Sequence, residues 1–244
     1  MGILDFIFPK YCINCRKVGD YICSNCFSFI SFDIQMICLA CNKPTFDGLT
    51  HPRCRGRYVI DGAFAAIAYK GVVRKLIYSF KYKPYLSNLK NSLVELFYES
   101  LIQQEMFVAT MKQLNSEKIA LVPIPLHRSR LKKRGYNHAE ILAKGLSLSL
   151  KLPVINILAR EKPTKSQFGL KLKERKENIR DAFSMVPNIP IALPASARRW
   201  QAGQFSNILL VDDILTSGTT FLEAAKILKK NGAKRVWGLA LARD

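Results

Sequence analysis

Long apolar stretches are missing from this sequence of 244 residues. The run IALVPIPL at 119–126 is as long as any, and its eight residues include two prolines, which excludes a transmembrane helix. The opening residues, MGILDFIFPKYC, carry an early Asp5 and no basic segment, so no signal peptide is predicted. We therefore expect a cytoplasmic protein that does not insert into membranes.

Acidic residues are also scarce, because 18 Asp and Glu against 38 Lys and Arg give a formal net charge of +20. Six basic residues and no acid lie between Asp61 and Glu95, and five of the seven residues from Arg128 to Arg134 are basic. Such a charge favours a polyanionic partner: nucleic acid, a phosphorylated metabolite or an anionic membrane surface. A basic protein without such a partner is the alternative, and charge alone does not choose.

Cysteine is absent after residue 54, and all seven cysteines lie near the N-terminus. Three Cys-x-x-Cys pairs and one His-x-x-Cys pair supply eight ligands, which are Cys12, Cys15, Cys23, Cys26, Cys38, Cys41, His51 and Cys54. The two-residue spacing lets both side chains of a pair face one ion, so the segment predicts two structural, tetrahedral zinc sites. The odd number of cysteines and the expected compartment disfavour disulfides. A redox pair is a weaker alternative, since such motifs usually occur singly.

The grouping of these four pairs is open. Consecutive grouping joins the first pair with the second and the third with the fourth, whereas an interleaved arrangement joins the first with the third. Gaps of seven and nine residues within the consecutive groups favour the consecutive arrangement. For His51, a solvated loop residue is the alternative to a ligand.

A second motif lies near the C-terminus, in VDDILTSGTT at 211–220. The apolar run Ile208–Val211 predicts a strand buried on both faces, and apolar residues recur at helical spacing from Leu222 to Leu228. Another apolar run, Val236–Ala242, predicts the next strand. A strand–helix–strand unit of this kind requires parallel strands.

In parallel sheets ligands bind beyond the carboxyl ends of the strands, where this motif is expected. Backbone N–H groups, hydroxyl groups and a helix N-terminus suit a phosphate, and they are offered by Thr216, Ser217, Gly218, Thr219 and Thr220. The adjacent Asp212 and Asp213 would repel phosphate but accept hydrogen bonds from sugar hydroxyls, which indicates a phosphorylated sugar. The alternative is a helix capped by Thr219 with solvated aspartates. A P-loop is excluded, because its consensus occurs nowhere in the chain.

The stretch VDDILTSGTT closely resembles the motif that binds phosphoribosyl pyrophosphate (PRPP) in type I phosphoribosyltransferases. The resemblance implies that Asp212 and Asp213 hold the ribose 2- and 3-hydroxyls as catalytic residues. It also implies that residues 216–220 bind the 5-phosphate and that PRPP binds with magnesium. The loop beginning at Pro125 would lie near the pyrophosphate, and the basic Lys162–Arg175 loop would close over it.

The middle of the chain predicts further strands and helices. Strands are expected within Tyr58–Tyr69, Lys118–Ile124 and Val154–Leu158, and helices at Val72–Phe80, Leu89–Leu101 and after an N-cap at Asn137. A basic loop is expected at 128–134, and a merely solvated loop is the alternative to its candidate nucleic-acid contacts, which are Arg128, Arg130, Lys132, Lys133 and Arg134. The polar segment Arg160–Phe183 predicts a mobile loop followed by a short helix.

Several ordered motifs resemble the competence protein F family over nearly the whole chain. They are the cysteine pairs, VPIPLHRSRLKKRGYNHAEILA at 122–143, the spaced Arg160, Thr164, Gln167, Leu170, Arg175 and Asn178, and the PRPP motif. The resemblance implies a type I phosphoribosyltransferase-like α/β domain at 58–244, with a mostly parallel sheet flanked by helices, after a zinc-ribbon segment at 1–57. Three features depart from the family: His51, His138 and an insertion at about 186–206.

The family resemblance implies a PRPP-binding protein that acts in DNA uptake during natural transformation, binds single-stranded DNA and works beside a DNA-translocating ATPase. Phosphoribosyl transfer is one possibility. A non-catalytic DNA-binding module with a sensor or relic PRPP site is another, and nucleotide salvage is a third. The aromatic residues Tyr78, Phe80, Tyr82 and Tyr85, interleaved with Lys81 and Lys83, favour the DNA-binding module, because bases could stack on them. Core packing of these aromatics is the alternative.

Overall fold

Four parallel strands form the central sheet of this computed structural model, which describes residues 10–83, 88–114, 118–164, 172–186 and 205–244. The strands, in sheet order, are β1 (Gly62–Ala68), β6 (Arg235–Arg243), β5 (Asn207–Leu215) and β2 (Ile119–Pro123). Each neighbouring pair is parallel, including β5 and β6. The predicted parallel α/β fold is confirmed.

The two faces of the sheet carry separate cores, because successive side chains of a strand point to opposite sides. Leu209 and Val211 of β5 join the first core, whereas Ile208 and Leu210 join the second. All four are buried, which confirms a strand covered on both faces. The helices are α1 (Ser24–Phe27), α2 (Val72–Tyr82), α3 (Leu89–Ile102), α4 (Glu105–Gln113), α5 (Arg128–Arg134), α6 (His138–Leu150), α7 (Leu172–Ile179) and α8 (Thr219–Lys230).

The helices divide between these faces. Apolar residues of α2, α3, α4 and most of α6 contribute to the first core, and those of α7 and α8 contribute to the second. No helix in the described ranges is both long and apolar enough to cross a membrane.

The predicted basic loop at 128–134 is instead the helix α5. His127 caps its start, since Nδ1 accepts a hydrogen bond from the backbone N–H of Ser129 at 3.3 Å, and Gly135 ends it with a left-handed φ of 80°. The prediction failed because the segment has no apolar periodicity: Leu131 is its one apolar residue, and it is 42% exposed. The predicted cap of α6 is confirmed, because the Asn137 side chain accepts from the N–H of Ala139 at 3.2 Å.

The predicted strand Val154–Leu158 is also wrong. Val154 makes an isolated parallel bridge to Leu121 beside β2. The chain then forms β3 (Leu158–Arg160), which pairs antiparallel with β4 (Phe183–Met185) in a separate two-stranded sheet. An apolar run does not specify which partner its backbone will meet. Most of the predicted insertion, at 187–204, lies outside the described residues.

Two four-ligand clusters organise the N-terminal segment. One contains Cys12, Cys15, Cys23 and Cys26, and the other contains Cys38, Cys41, His51 and Cys54; within each, the ligand atoms lie within 4.8 Å of one another. The structure therefore favours the consecutive grouping. Cys15 Sγ lies 3.5 Å from Cys23 Sγ, close to the roughly 3.7 Å edge expected of a tetrahedron with zinc–sulfur bonds of about 2.3 Å.

His51 is oriented as a ligand rather than as a solvated loop residue. Its Nδ1 atom lies 3.3 Å from Cys41 Sγ, and its Nε2 atom lies 3.1 Å from the carbonyl oxygen of Pro44. Such a partner on the second ring nitrogen fixes the ring and leaves Nδ1 available to a metal. Both donor sets, four thiolates in one and three thiolates with an imidazole in the other, suit structural zinc.

Zinc content tests this grouping. We expect the wild-type protein to hold two equivalents of zinc and Cys12→Ser to retain one, because each cluster supplies its own four ligands. We expect His51→Cys to keep both ions and His51→Ala to lose one. Inductively coupled plasma mass spectrometry of the purified proteins measures the content. Loss of both ions from Cys12→Ser would contradict two independent sites.

Candidate functional site

The two adjacent aspartates, Asp212 and Asp213, lie near the carboxyl end of β5. The strand continues past them, because Asp212 is in register with Ala240 and Ile214 with Ala242 of β6. The apolar run Ile208–Val211 thus predicted the strand but only part of its length, because the backbone ladder extends to Leu215. Since adjacent residues of a strand point to opposite faces, Asp213 lies on the α2 side of the sheet and Asp212 on the other.

Asp213 forms an ion pair that sequence reasoning missed. Its Oδ2 atom lies 2.7 Å from Nζ of Lys81, in the last turn of α2, and the two side chains are only 10% and 20% exposed. Burial disfavours the charge of Lys81, but the Asp213 carboxylate outweighs burial and raises the pKa of the ammonium group. The only signal in the sequence was Lys81 within a basic, aromatic stretch, which does not identify its partner.

Asp212 occupies a different environment. Burial, and then the neighbouring Asp213 carboxylate, raise the pKa of Asp212 to about 7. Its Oδ1 atom accepts a hydrogen bond from the N–H of Asp213 at 2.8 Å. Among the described residues no cation lies within ion-pair distance of its carboxylate. A sugar hydroxyl or a divalent cation at this position would therefore meet a carboxyl group that is not neutralised by a protein side chain.

The predicted phosphate-binding residues form the turn between β5 and α8. Gly218, with a φ of 73°, is the N-cap of α8, and no side chain caps the helix. The alternative in which Thr219 caps the helix is therefore wrong: Thr219 is the first helical residue, and its Oγ1 lies 3.3 Å from Ser217 Oγ. We call residues 216–220 the phosphate turn. An uncapped helix N-terminus of this kind suits an anion.

Two arginines converge beside the Asp212 face. Arg130 of α5 donates from Nη2 to the carbonyl oxygen of Thr164 at 2.5 Å, and Arg160 of β3 donates to the Thr164 hydroxyl. Burial, followed by the like charge of Arg130, lowers the pKa of Arg160 to about 10. The buried Nε of Arg160 has no hydrogen-bond partner within the described part of the chain. The predicted loop Lys162–Arg175 lies partly outside the described residues, which omit 165–171.

The other predicted nucleic-acid contacts are the cations of α5. Arg128, Lys132 and Lys133 are exposed, and Arg130 and Arg134 are partly buried. Arg134 donates from Nη2 to the hydroxyl of Tyr82 at 3.0 Å, which connects α5 to α2. The helix therefore presents its charge next to the Lys81–Asp213 pair.

His138, the departure at the start of α6, is a core residue. It is 2% exposed and packs edge-on against Phe80 and Tyr136, with ring centroids 5.4 and 5.0 Å apart. Burial is the main cause that lowers the pKa of His138 to about 4, so the imidazole is neutral near pH 7. Phe80 is also buried, whereas Tyr78 and Tyr82 are exposed; Tyr85 lies outside the described residues.

Comparison with known proteins agrees with this architecture. A family model for the phosphoribosyl transferase domain matches residues 112–243, and a model for the double zinc ribbon domain matches residues 3–55. Over 126 residues, half of each chain, the protein is 39% identical to Competence protein F of Haemophilus influenzae. It is 31% identical over 124 residues to DNA utilization protein YhgH of Escherichia coli, covering 50% of this chain and 48% of that protein.

A third relative is similar over a longer range. Competence protein ComFC of Bacillus subtilis is 24% identical over 241 residues, covering 96% of this chain and 85% of that protein. By contrast, the chain spans about half the length of the other two relatives. The chain therefore belongs to the phosphoribosyl transferase domain family, carries an N-terminal double zinc ribbon and is related to competence protein F, as its motifs predicted.

Proposed function

We propose that the protein binds PRPP and single-stranded DNA in the cytoplasm and acts in DNA uptake during natural transformation, beside a DNA-translocating competence ATPase. The observation that carries the PRPP part is the pair of aspartates next to an uncapped helix N-terminus, within a phosphoribosyl transferase domain. The names of the relatives, which refer to competence and DNA utilization, support the biological role. We take residues 1–57 as the zinc-binding unit and 58–244 as the PRPP-binding unit.

In this proposal Asp212 and Asp213, the ribose clamp, accept hydrogen bonds from the ribose hydroxyls. The phosphate turn binds the 5-phosphate through backbone N–H groups and hydroxyls. Because the carboxylates point to opposite faces of β5, a ribose that contacts both would lie across the carboxyl end of this strand, and the phosphate turn follows them along the chain. A phosphate and a carboxylate therefore need not occupy the same space.

The pyrophosphate would lie on the side of Arg130 and Arg160, two partly buried residues whose guanidinium groups both donate to Thr164. Magnesium prefers oxygen ligands, and the Asp212 carboxylate is the acidic group at this edge that is available to it. Magnesium bound there with PRPP would supply positive charge near the leaving pyrophosphate. The chain contributes the rest: the carboxylates orient the sugar and stabilise positive charge that develops on it, and the arginines stabilise the departing anion.

A second candidate is a binding module that senses PRPP without transferring its ribose. The observation that favours it is the Lys81–Asp213 pair, since one carboxylate of the ribose clamp is already matched by a cation within the chain. The two candidates share the ligand and differ in turnover. Release of pyrophosphate from PRPP, measured with and without oligonucleotide, separates them: steady release supports a transferase, and binding without release supports a sensor.

The ribose clamp is tested by isothermal titration with PRPP and magnesium. We expect Asp212→Ala to weaken PRPP binding on the order of tenfold to a hundredfold, because a hydrogen bond to a charged group contributes about 1.5–3 kcal/mol. We expect Asp213→Ala to weaken binding at least as much and also to lower stability, by on the order of 3–5 kcal/mol, because it leaves the Lys81 ammonium group buried without a partner.

A matched variant separates the two effects of Asp213→Ala. Lys81→Met with Asp213→Ala removes both charges of the buried pair, so we expect it to recover most of the lost stability but not the PRPP affinity. Wild-type affinity in that double variant would show that Asp213 is not part of a ribose clamp. An absence of PRPP binding by the wild-type protein would refute the proposed ligand.

Binding of single-stranded DNA is tested through its dependence on salt. Each phosphate contact contributes about −0.7 to the slope of log affinity against log salt concentration, so replacing Arg128, Lys132 and Lys133 with alanine should flatten the slope by roughly 2. These three side chains are exposed, so the fold should be unaffected. Replacing the exposed Lys90, Lys112 and Lys118 removes the same charge elsewhere and serves as the control. Equal slopes for the two triple variants would exclude α5 as the DNA contact.

A further inference from the structure

The outer face of α2 carries two aromatic side chains that the core does not use. Tyr78 and Tyr82 are 60% and 53% exposed, and their ring centroids are 4.9 Å apart, one helical turn from each other. Phe80, between them in sequence, is buried against His138. The aromatic stretch that the sequence left ambiguous is thus divided: its middle member packs in the core, and the two flanking rings face outward.

A cation from another element completes this surface. The guanidinium carbon of Arg134 lies 5.0 Å from the Tyr82 ring centroid, and Arg134 also donates a hydrogen bond to the Tyr82 hydroxyl. We call Tyr78, Tyr82 and Arg134 the stacking platform. The hydrogen bond and the ring contact hold a planar guanidinium group beside two exposed rings, so the surface presents fixed π-faces next to positive charge.

The α5 cations around the stacking platform have no ion-pair partner among the described residues. In the parts of the chain that the structure describes, no carboxylate lies within ion-pair distance of any of the five cations of α5. Three of them, Arg128, Lys132 and Lys133, are exposed. The surface therefore combines two exposed, mutually tilted aromatic rings with a row of cations that have no ion-pair partner among the described residues.

We propose that the stacking platform binds unpaired bases of a single-stranded nucleic acid while the α5 cations contact its phosphates. A single strand offers both features, because its bases expose their π-faces and its phosphates recur along the backbone. A duplex hides those faces by stacking, and an acidic protein surface would match the cations but not the rings. This inference rests on the proposed DNA-binding function and names the surface and the chemical contact that would perform it.

The stacking platform lies next to the ribose clamp. Lys81, between Phe80 and Tyr82 on α2, contacts Asp213, and its carbonyl oxygen is 3.4 Å from Nε2 of His138. The other ring nitrogen of His138 is 3.5 Å from Nη1 of Arg134. A strand on the platform would therefore be separated from the PRPP site by a single layer of contacting side chains, which brings nucleic acid to the edge of the phosphoribosyl site.

The test compares variants that remove the rings with variants that keep them. Fluorescence anisotropy is measured with an oligothymidylate and with an abasic strand of the same length. We expect Tyr78→Leu with Tyr82→Leu to weaken oligothymidylate binding by roughly fivefold to more than a hundredfold, the range found when a stacking aromatic is removed. Tyr78→Phe with Tyr82→Phe keeps both rings and the contact of Arg134 with the ring at position 82 and loses the hydroxyl that accepts from Arg134, so it should bind much better than the leucine variant. The abasic strand should bind all three proteins equally.

Three results would overturn the proposal. The first is unchanged oligothymidylate affinity in the leucine variant, which would reduce the rings to a helix-stabilising pair. The second is an equal loss with the abasic strand, which would show an effect on phosphate contacts or on folding. The third is a comparable loss in Phe46→Ala, because that 86% exposed ring on the zinc ribbon is the matched control. If the wild type binds neither strand, the DNA-binding function fails as well, whereas PRPP titration of the same sample reports separately on the other ligand.

An independent observation connects the second zinc cluster to the phosphate turn. Leu39 lies between the ligands Cys38 and Cys41, is completely buried and belongs to the second core. Its side chain covers Gly218: a Cβ atom built on that glycine would lie 2.5 Å from Leu39 Cδ2 and 2.9 Å from Cγ. We infer that Leu39 is a positioning residue, through which the zinc ribbon holds the phosphate turn in its binding conformation.

This second inference rests on PRPP binding by the phosphate turn, and it is tested by comparing two core truncations in the same ribbon. Leu39→Ala should weaken PRPP binding by about tenfold or more, since a displacement of about 1 Å at a site can cost about a hundredfold. Leu39→Met, which keeps a side chain of similar volume, should bind PRPP with nearly wild-type affinity. Ile37→Ala truncates another buried side chain of the same ribbon and serves as the control. It should lower thermal stability about as much as Leu39→Ala does but leave PRPP affinity unchanged. Equal PRPP affinity in Leu39→Ala and the wild type would overturn the inference, and a wild type that binds no PRPP would refute the proposed function itself.

Discussion

The nearly buried carboxylate of Asp213 determines how α2 packs against the central sheet. An ionised group in this position is costly without a partner, and the last turn of α2 supplies it in Lys81. The pair fixes α2 against the carboxyl end of β5. Once α2 is fixed, Phe80 packs on His138, and Tyr82 meets Arg134. The helix α2 thus contributes directly to the candidate site, although it lies outside residues 112–243, which the phosphoribosyl transferase family model matches.

The two aspartates differ because their side chains leave β5 toward opposite faces. On the α2 side, Asp213 is neutralised by an ammonium group. On the other side, Asp212 has no ion-pair partner among the described residues, its pKa is raised to about 7, and two arginines lie in its vicinity. A ligand that donates hydroxyl hydrogen bonds and carries phosphates complements this distribution, since it satisfies the carboxylates and the cations at separate positions. In the proposed function, the strong positive charge of the chain would have two roles: local recognition of phosphates in the site, and attraction of a longer polyanion along α5.

The zinc ribbons are integrated into the domain rather than attached to its end. Cys12, Cys26 and Ile30 of the first ribbon join the core on the α2 face, whereas Ile37 and Leu39 of the second join the core on the α8 face. Metal binding in such a segment is coupled to folding, so each ion stabilises one side of the sheet as well as its own ribbon. Through Leu39, this coupling reaches the turn that follows the aspartates. The second ribbon can therefore contribute to the candidate ligand site through packing.

The sequence by itself determined the features that depend on local spacing. The cysteine pairs identified the ligands, the apolar runs identified β1, β2, β5 and β6, and VDDILTSGTT located the candidate site, because a turn between a strand and a helix is short enough to be encoded by neighbouring residues. Only the tertiary structure decided which distant groups meet. The Lys81–Asp213 pair joins residues more than a hundred positions apart, the Leu39–Gly218 contact joins a zinc ribbon to the last third of the chain, and the partner of β3 is β4 rather than the central sheet.

Burial also decided between the readings of the aromatic stretch, since Phe80 and Tyr82 differ in exposure although they are two residues apart on one helix. Their periodicity is compatible with either face, and only the packing of α6 and β5 against α2 determines which side is covered.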